Sequence, residues 1–178
     1  MKSIKDLIKP DRREKKYPPE WLATQFAALP LNKKVPKRIK EMVELAQEIA
    51  YYGYFRYAFF NLGLFYLCLT LEASFSKKYR TKRLRFEELI ERAKNDGTIP
   101  ALFHSKLTSI RRLRNSYAHA KQVNISKPPI KGFHLITHLI NCIFDEKSRF
   151  ELPKVFAEEI ADSNKISSLI AGTRKRKK

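Results

Sequence analysis

The chain has 178 residues, of which 43% are hydrophobic, and its formal net charge is +19. That length fits one domain, or one domain with an arm. A protein this basic generally binds a polyanion, so nucleic acid is the first expectation and an anionic membrane surface is the main competitor. The two cysteines, Cys68 and Cys142, lie within apolar runs. They are therefore expected to be buried, reduced core residues rather than a disulfide or a metal site.

Residues 1–36 are predicted to form a basic N-terminal arm with a short helix. Charges cluster in the stretch KPDRREKK, and proline recurs along the whole segment. Only EWLATQFAAL has the pattern of a short amphipathic helix, and Trp21 and Phe26 are expected to attach it to the main body. The first residues contain no apolar stretch of the kind that marks a secretory signal, so we expect a cytoplasmic protein.

Helical periodicity begins at Lys37 and continues through most of the chain. The second predicted helix contains an apolar run of fifteen residues, Tyr57 to Leu71. This run is short for a membrane span and suits the central, most buried helix, so we expect no membrane association. No segment shows the alternation of a strand. The predicted helices run over residues 37 to about 53, 55 to about 79, 85 to 97, 100 to about 119, and 130 to about 146.

These elements predict an all-α bundle of four to five helices with basic terminal extensions. The helical domain is expected to cover residues 37–150. A C-terminal extension follows over residues 151–178, with LPKVFAEEIA as a possible last turn or two and the basic tail RKRKK at its end. The tail is expected to bind phosphates without specificity.

The fourth predicted helix carries an arginine where an apolar residue is expected. Arg114 falls within the apolar face of this helix when about 100° is allowed for each residue. A guanidinium is costly there unless it is paired or used. One explanation is structural, an ion pair with a carboxylate such as Glu72 or Glu44. The apolar face itself is predicted to contain Leu102, Phe103, Leu107, Ile110, Leu113 and Tyr117.

Two further polar residues follow Arg114 on the same helix. Asn115 and His119 are four positions apart and share a face, whereas Arg114 and His119 are five apart, about 140° round the axis. Two groups so placed do not normally meet on one helix. A second copy of the helix could supply the partner group, which predicts a symmetric dimer with the site in its interface. For His119 alone, a capping or surface role near the helix end is the structural alternative.

The stretch RNSYAH, Arg114 to His119, resembles the Arg-x4-6-His motif of HEPN domains, in which a polar residue often follows the arginine. The short helix and glycine turn in FEELIERAKNDGTIP, and the long helix that contains Glu72, are also similar to that family. The resemblance covers residues 37 to 146. It implies a helical bundle that dimerises so that two copies of the motif face each other across a basic cleft.

The family resemblance also implies a function, because many HEPN proteins are metal-independent endoribonucleases of toxin–antitoxin, phage-defence or RNA-processing systems. Carried over to this chain, Arg114 and His119 would be the catalytic pair and Asn115 the supporting polar residue. No cofactor is implied, and a cognate inhibitor protein is possible. In one departure, the tyrosine that toxins paired with nucleotidyltransferase antitoxins often carry two residues after the histidine is replaced by Lys121.

These residue types suit RNA cleavage without a metal. RNA carries its own nucleophile, the 2′-hydroxyl, so a base, an acid and a cation are sufficient. Histidine titrates near neutral pH and can serve as base or acid, which is the role expected of His119. Arg114 offers a fork that matches phosphate oxygens. The flanking phosphates are expected to bind Arg111, Arg112 and Lys106.

Other candidate sites are weaker. His134 and His138 have the spacing of a zinc pair, but no third ligand is evident, and exposed histidines on a helix are the preferred explanation. The aromatic residues of the second helix favour core or dimer packing over base stacking. Two competing functions stay open: a non-catalytic helical module that binds RNA or a partner protein, and a structural dimer in which Arg114 only pairs with a carboxylate.

Overall fold

A computed structural model describes residues 9–11, 17–28, 30–119, 128–151 and 153. Within these ranges the protein contains helices and no strand, which confirms the all-helical prediction. Three short 3₁₀ segments follow or precede the longer helices, at Tyr52–Tyr54, Ala101–Phe103 and Lys147–Arg149. The α-helices of the described residues are α1 Pro19–Ala27, α2 Lys37–Tyr51, α3 Ala58–Lys78, α4 Phe86–Asn95, α5 His104–Ala118 and α6 Ile130–Phe144.

Helix α3 is the centre of the bundle, and α2, α4, α5 and α6 all contact it. Its residues are apolar on nearly every side, so it can pack against several neighbours at once. Gly63 allows α2 to approach closely, because a Cβ at this position would lie 2.7 Å from the backbone oxygen of Ala46. The prediction that this segment is the buried central helix is therefore confirmed.

The same helix is the one described helix that is long and apolar enough to cross a membrane, with a mean hydropathy of 1.4. Half of the window that meets this criterion is buried inside the protein. The core helix of a bundle meets the same test by length and composition, so the finding is weak support for a membrane span.

The N-terminal segment attaches to the body through α1. The Phe26 ring lies 5.3 Å from that of Tyr51 on α2 and 5.1 Å from that of Phe133 on α6. Leu22 is completely buried, whereas Trp21 is only partly buried against the core. Phe26 thus attaches this helix as predicted, and Leu22 contributes an anchor that the sequence analysis had not named.

Helix α6 corrects the prediction for the two histidines. His134 and His138 are 5% and 3% exposed, and both lie inside the bundle. The His134 Nε2 atom is 2.7 Å from the carbonyl oxygen of Gln25 on α1, and the His138 ring packs edge-on against Phe103 at 5.2 Å. They are buried because α1 and the 3₁₀ segment Ala101–Phe103 cover α6 here, so the expectation of exposed histidines was wrong.

Both cysteines are buried free thiols, as predicted. Cys68 lies on α3 and Cys142 on α6. Burial raises the pKa of each thiol to about 12. Both are therefore protonated at neutral pH and behave as small apolar side chains.

The predicted last turn or two after residue 152, the basic C-terminal tail and Lys121 lie outside the described residues.

Candidate functional site

Arg114 extends the buried stripe of α5. Phe103, Leu107 and Ile110 are the buried residues of this region, and the 100° helical wheel places Arg114 among them. Leu102 departs from the predicted apolar face, since it is 52% exposed. The reason is local: residues Ala101–Phe103 form a 3₁₀ turn, so the α-helical angle per residue does not extend back to Leu102.

The Arg114 guanidinium is held by two neighbours. Its Nη2 atom donates to the Glu72 carboxylate on α3 at 2.9 Å, and Nη1 donates to the Asn115 side-chain oxygen at 3.2 Å. The Arg114 and Glu72 side chains are 28% and 24% exposed, so the ion pair lies at the edge of the core. Arg114 therefore has the structural partner that the sequence analysis offered as one explanation. A guanidinium has five N–H donors, so this arrangement leaves further donors of the fork for a ligand.

Asn115 orients Arg114 in this structure. Its side-chain oxygen accepts the Nη1–H group, and its backbone oxygen accepts the N–H of His119 at 3.0 Å. The side-chain amide thus acts on the guanidinium, whereas the sequence analysis assigned it a general supporting role. A guanidinium whose two terminal nitrogens both have partners is better defined in position than that of a lone surface arginine.

His119 ends α5. It is the C-cap residue, it is exposed, and its backbone rather than its ring makes the capping hydrogen bonds. The described residues of one chain show no contact between Arg114 and His119. The chain therefore holds the guanidinium at the edge of its core and has His119 exposed on its surface.

Contacts between α3 and α5 define where His119 lies. Glu72 pairs with Arg114, and the Phe65 ring lies 5.7 Å from that of Tyr117. The contact nearer the N-terminus of α3 is thus the one nearer the C-terminus of α5, so the two helices are antiparallel. His119 consequently lies toward the N-terminal half of α3.

The three predicted RNA-binding residues differ in their surroundings. Arg111 forms an ion pair with Glu87 on α4, and its side chain is 27% exposed. Arg112 and Lys106 are exposed, and no carboxylate in the described parts of the chain pairs with either. Arg112 and Lys106 are thus available to a phosphate, whereas Arg111 would first have to leave Glu87.

A polar layer beneath α5 was not identified from the sequence. The Tyr117 hydroxyl, the Asn61 side-chain oxygen and the Arg114 Nε atom are buried, and none has a hydrogen-bond partner within the described residues. Burial also raises the pKa of Tyr117 to about 12. Asn61, Cys68 and Glu72 lie on one face of α3, because they are seven and then four residues apart. Polar residues at these spacings in an otherwise apolar helix are the signal that could have revealed the layer.

The part of the chain that the structure describes contains no group of three or more His, Cys, Asp or Glu side chains able to hold a metal ion. His134 and His138, the candidate pair, each contact a neighbour inside the bundle. The His134 Nε2 atom faces the Gln25 carbonyl oxygen, and the His138 Nε2 atom lies 3.4 Å from the Cys142 Sγ atom.

Comparison of the chain with protein-family models, with curated proteins and with solved structures gave no match.

Proposed function

We propose that the protein is a dimeric, metal-independent endoribonuclease of the HEPN type. The observation that carries the proposal is the placement of Arg114, which occupies the buried stripe of α5 and is fixed by Glu72 and Asn115. The same helix ends one turn later at the exposed His119. A cation and an imidazole that belong to the Arg-x4-His motif thus both lie on the C-terminal part of α5.

The proposed reaction uses the nucleophile within RNA. His119 takes the proton of the 2′-hydroxyl as the 2′-oxygen bonds to phosphorus, and the bond from phosphorus to the 5′-oxygen breaks. The departing 5′-oxygen gains a proton from the imidazolium or from water. Arg114 stabilises the charge on the phosphorane oxygens. The products are a 2′,3′-cyclic phosphate and a 5′-hydroxyl, and DNA is not a substrate because it lacks the 2′-hydroxyl.

A homodimer would complete the site. Arg114 and His119 are about 140° apart on α5, so the histidine of a second copy is the natural partner of the arginine. An exposed apolar patch lies at the N-terminal end of α3, which is the end toward which α5 runs. It consists of Tyr52, Phe59 and Leu62, which are 60%, 38% and 48% exposed. A symmetric contact through this apolar patch would bring two copies of His119 close to the shared interface.

The experiment is RNA cleavage in excess EDTA, with single-stranded and structured substrates. The wild type is compared with Arg114→Ala, Arg114→Lys and His119→Ala. Arg85→Ala is the matched control, since Arg85 is an exposed arginine just before α4 that pairs with Glu88. Cleavage that survives in the control and is lost in Arg114→Ala and His119→Ala supports the proposal. RNA that stays intact with the wild type contradicts it.

The second candidate function is a non-catalytic module that binds RNA. It is favoured by the ion pair itself, because a guanidinium held by a carboxylate has a sufficient structural role. In this case the wild type binds RNA in EDTA without cleaving it, and Arg114→Ala chiefly lowers stability. The proposed cytoplasmic location fits either function, as does a setting in growth control or phage defence with a cognate inhibitor.

A further inference from the structure

A wide groove lies at the end of α3 remote from the apolar patch. Its volume is about 1120 Å³, and it is enclosed by the start of α2, the last turns of α3, the turn that follows and the end of α6. This volume exceeds that of most sites for drug-sized ligands, so more than one nucleotide can enter it. Glu72 lines the groove and is also the partner of Arg114. The groove therefore opens directly beside the proposed catalytic arginine.

The charges around this groove are mostly positive. Arg38, Lys77, Lys78, Arg80 and Lys82 line it, together with a single carboxylate, Glu72. That carboxylate is already neutralised by Arg114. Arg38 pairs with Glu41, but no acidic group of the described ranges pairs with the other four cations, all of which are exposed. An uncompensated set of cations at one cleft attracts a polyanion.

The preference of cations for the C-terminal end of a helix explains only part of the positive charge in the groove, and Arg80 is the part that it leaves unexplained. Lysines in the last turn of a helix interact favourably with its dipole, which accounts for Lys77 and Lys78. Arg80 lies beyond the helix in a Schellman turn, where the Thr81 N–H donates to the Ser76 oxygen at 3.1 Å. Its φ is 51°, and among the described residues other than glycine it alone has a positive φ. Glycine is the residue favoured there, so an arginine at this position carries backbone strain.

The floor of the groove differs from its rim. Apolar side chains form it, among them Ile39, Met42, Leu69 and Phe144. A duplex presents only phosphates and base edges to such a surface, whereas unpaired bases can place their flat faces against apolar and aromatic side chains. Cationic rims with an apolar floor therefore fit a single strand better than a duplex.

We propose that this groove binds single-stranded RNA, with phosphates on Lys77, Arg80 and Lys82 and bases over the apolar floor. The RNA strand is expected to pass Glu72 toward Arg114, and this part of the groove proposal rests on the proposed endoribonuclease function. Binding in the groove does not itself require cleavage. The two proposals can consequently fail separately.

The test measures binding of a fluorescent 12-nucleotide 2′-O-methyl RNA, which lacks a free 2′-hydroxyl and cannot be cleaved. Anisotropy is recorded over a salt series for the wild type, Lys77→Gln, Arg80→Gly and Lys82→Gln. Lys131→Gln, an exposed lysine at the start of α6, is the control that removes one charge elsewhere. Each groove variant is expected to weaken binding about threefold to tenfold and to reduce the slope of log affinity against log salt by about 0.7. The control keeps the wild-type affinity and slope.

Arg80→Gly separates a binding role from a folding role. Glycine relieves the positive-φ strain, so this variant is expected to melt at the wild-type temperature or above while its RNA affinity falls. A loss of affinity with preserved stability cannot come from misfolding.

Three results would overturn the groove proposal. The first is wild-type affinity in all groove variants, and the second is an equal loss in Lys131→Gln. The third is displacement of the RNA by poly-glutamate at lower concentration than by unlabelled RNA, which would assign the groove to an acidic protein. Cleavage is followed separately, with a substrate that has free 2′-hydroxyls. Intact binding with no cleavage by the wild type therefore removes the enzyme proposal and keeps the groove.

Discussion

The Nη2 atom of Arg114 lies 2.9 Å from the Oε2 atom of Glu72, and this ion pair joins α5 to the central helix. About a quarter of each side chain is exposed, so solvent screens the pair only in part. The other terminal nitrogen of the same guanidinium, Nη1, donates to the Asn115 side-chain oxygen. The ion pair is both a structural link and the means by which the candidate catalytic cation is positioned.

A double-mutant cycle should detect this link. We expect Arg114→Ala to lower the free energy of unfolding by about 1 to 2 kcal/mol, since it leaves the Glu72 carboxylate half-buried without its partner. Glu72→Gln added to Arg114→Ala should restore part of that loss. The measurement is urea unfolding of the wild type, both single variants and the double variant, with a coupling energy of about 1 kcal/mol expected. Strictly additive effects would show that the pair contributes nothing to stability.

The apolar patch on α3 should control assembly. Leu62→Asp places a charge in the proposed dimer contact and is expected to raise the dimer dissociation constant at least about tenfold. Sedimentation equilibrium measures this constant, and circular dichroism should show unchanged helix content. Leu45→Asp on α2 is the control, because Leu45 is comparably exposed at 41% but lies on another helix. A wild-type protein that is monomeric at all concentrations would contradict the shared site.

Mixing two inactive variants should restore activity if each site draws on both subunits. In heterodimers of Arg114→Ala with His119→Ala, one of the two sites regains an intact arginine and histidine. Equal mixing and exchange of subunits should give about a quarter of wild-type cleavage, since about half of the dimers are then mixed and each has one working site. A mixture as inactive as its components would contradict a site shared in this way. It would mean that each site takes both groups from one subunit, or that both arginines and both histidines of the dimer are required.

Burial of His138 should make the fold sensitive to mild acid. Desolvation lowers the pKa of this histidine from 6.5 to about 4, so the folded state keeps it neutral while the unfolded state binds a proton below about pH 6.5. The free energy of unfolding should therefore fall as the pH is lowered from 6.5 toward 4, by at most about 3 kcal/mol from this group. His138→Leu keeps an apolar contact with Phe103 and should lose this part of the pH dependence. Identical pH profiles for the wild type and the variant would be contrary evidence.

Periodicity was sufficient to predict the helices. The bounds of α2, α3 and α4 follow the predicted segments, and the turn after α4 uses Gly97 at a φ of 68°. The placement of Arg114 on the buried stripe of α5 was also predictable, because it depends only on helix geometry. Glu72 and Glu44 were two examples of a possible carboxylate partner for Arg114, and the packing of α5 against α3 selects Glu72.

Long-range packing could not be predicted from local sequence. His134 meets a carbonyl on α1 that is 109 residues away in the chain, and nothing near His134 signals that contact. The unpaired Tyr117 hydroxyl and Asn61 oxygen likewise result from which face of α3 meets α5. The groove is formed by α2, α3 and the end of α6 together. Four of its five basic residues lie within positions 77–82, but the apolar floor that they border is assembled only in the fold.

The most direct test of the central claim is identification of the ends produced from a defined single-stranded RNA in EDTA. Mass spectrometry of the wild-type reaction should show a 2′,3′-cyclic phosphate on one fragment and a 5′-hydroxyl on the other. Neither product should form with Arg114→Ala, with His119→Ala, or with a substrate that carries a 2′-deoxy sugar at the scissile position. Intact RNA with the wild type, or the same fragments from both variants, would contradict the account.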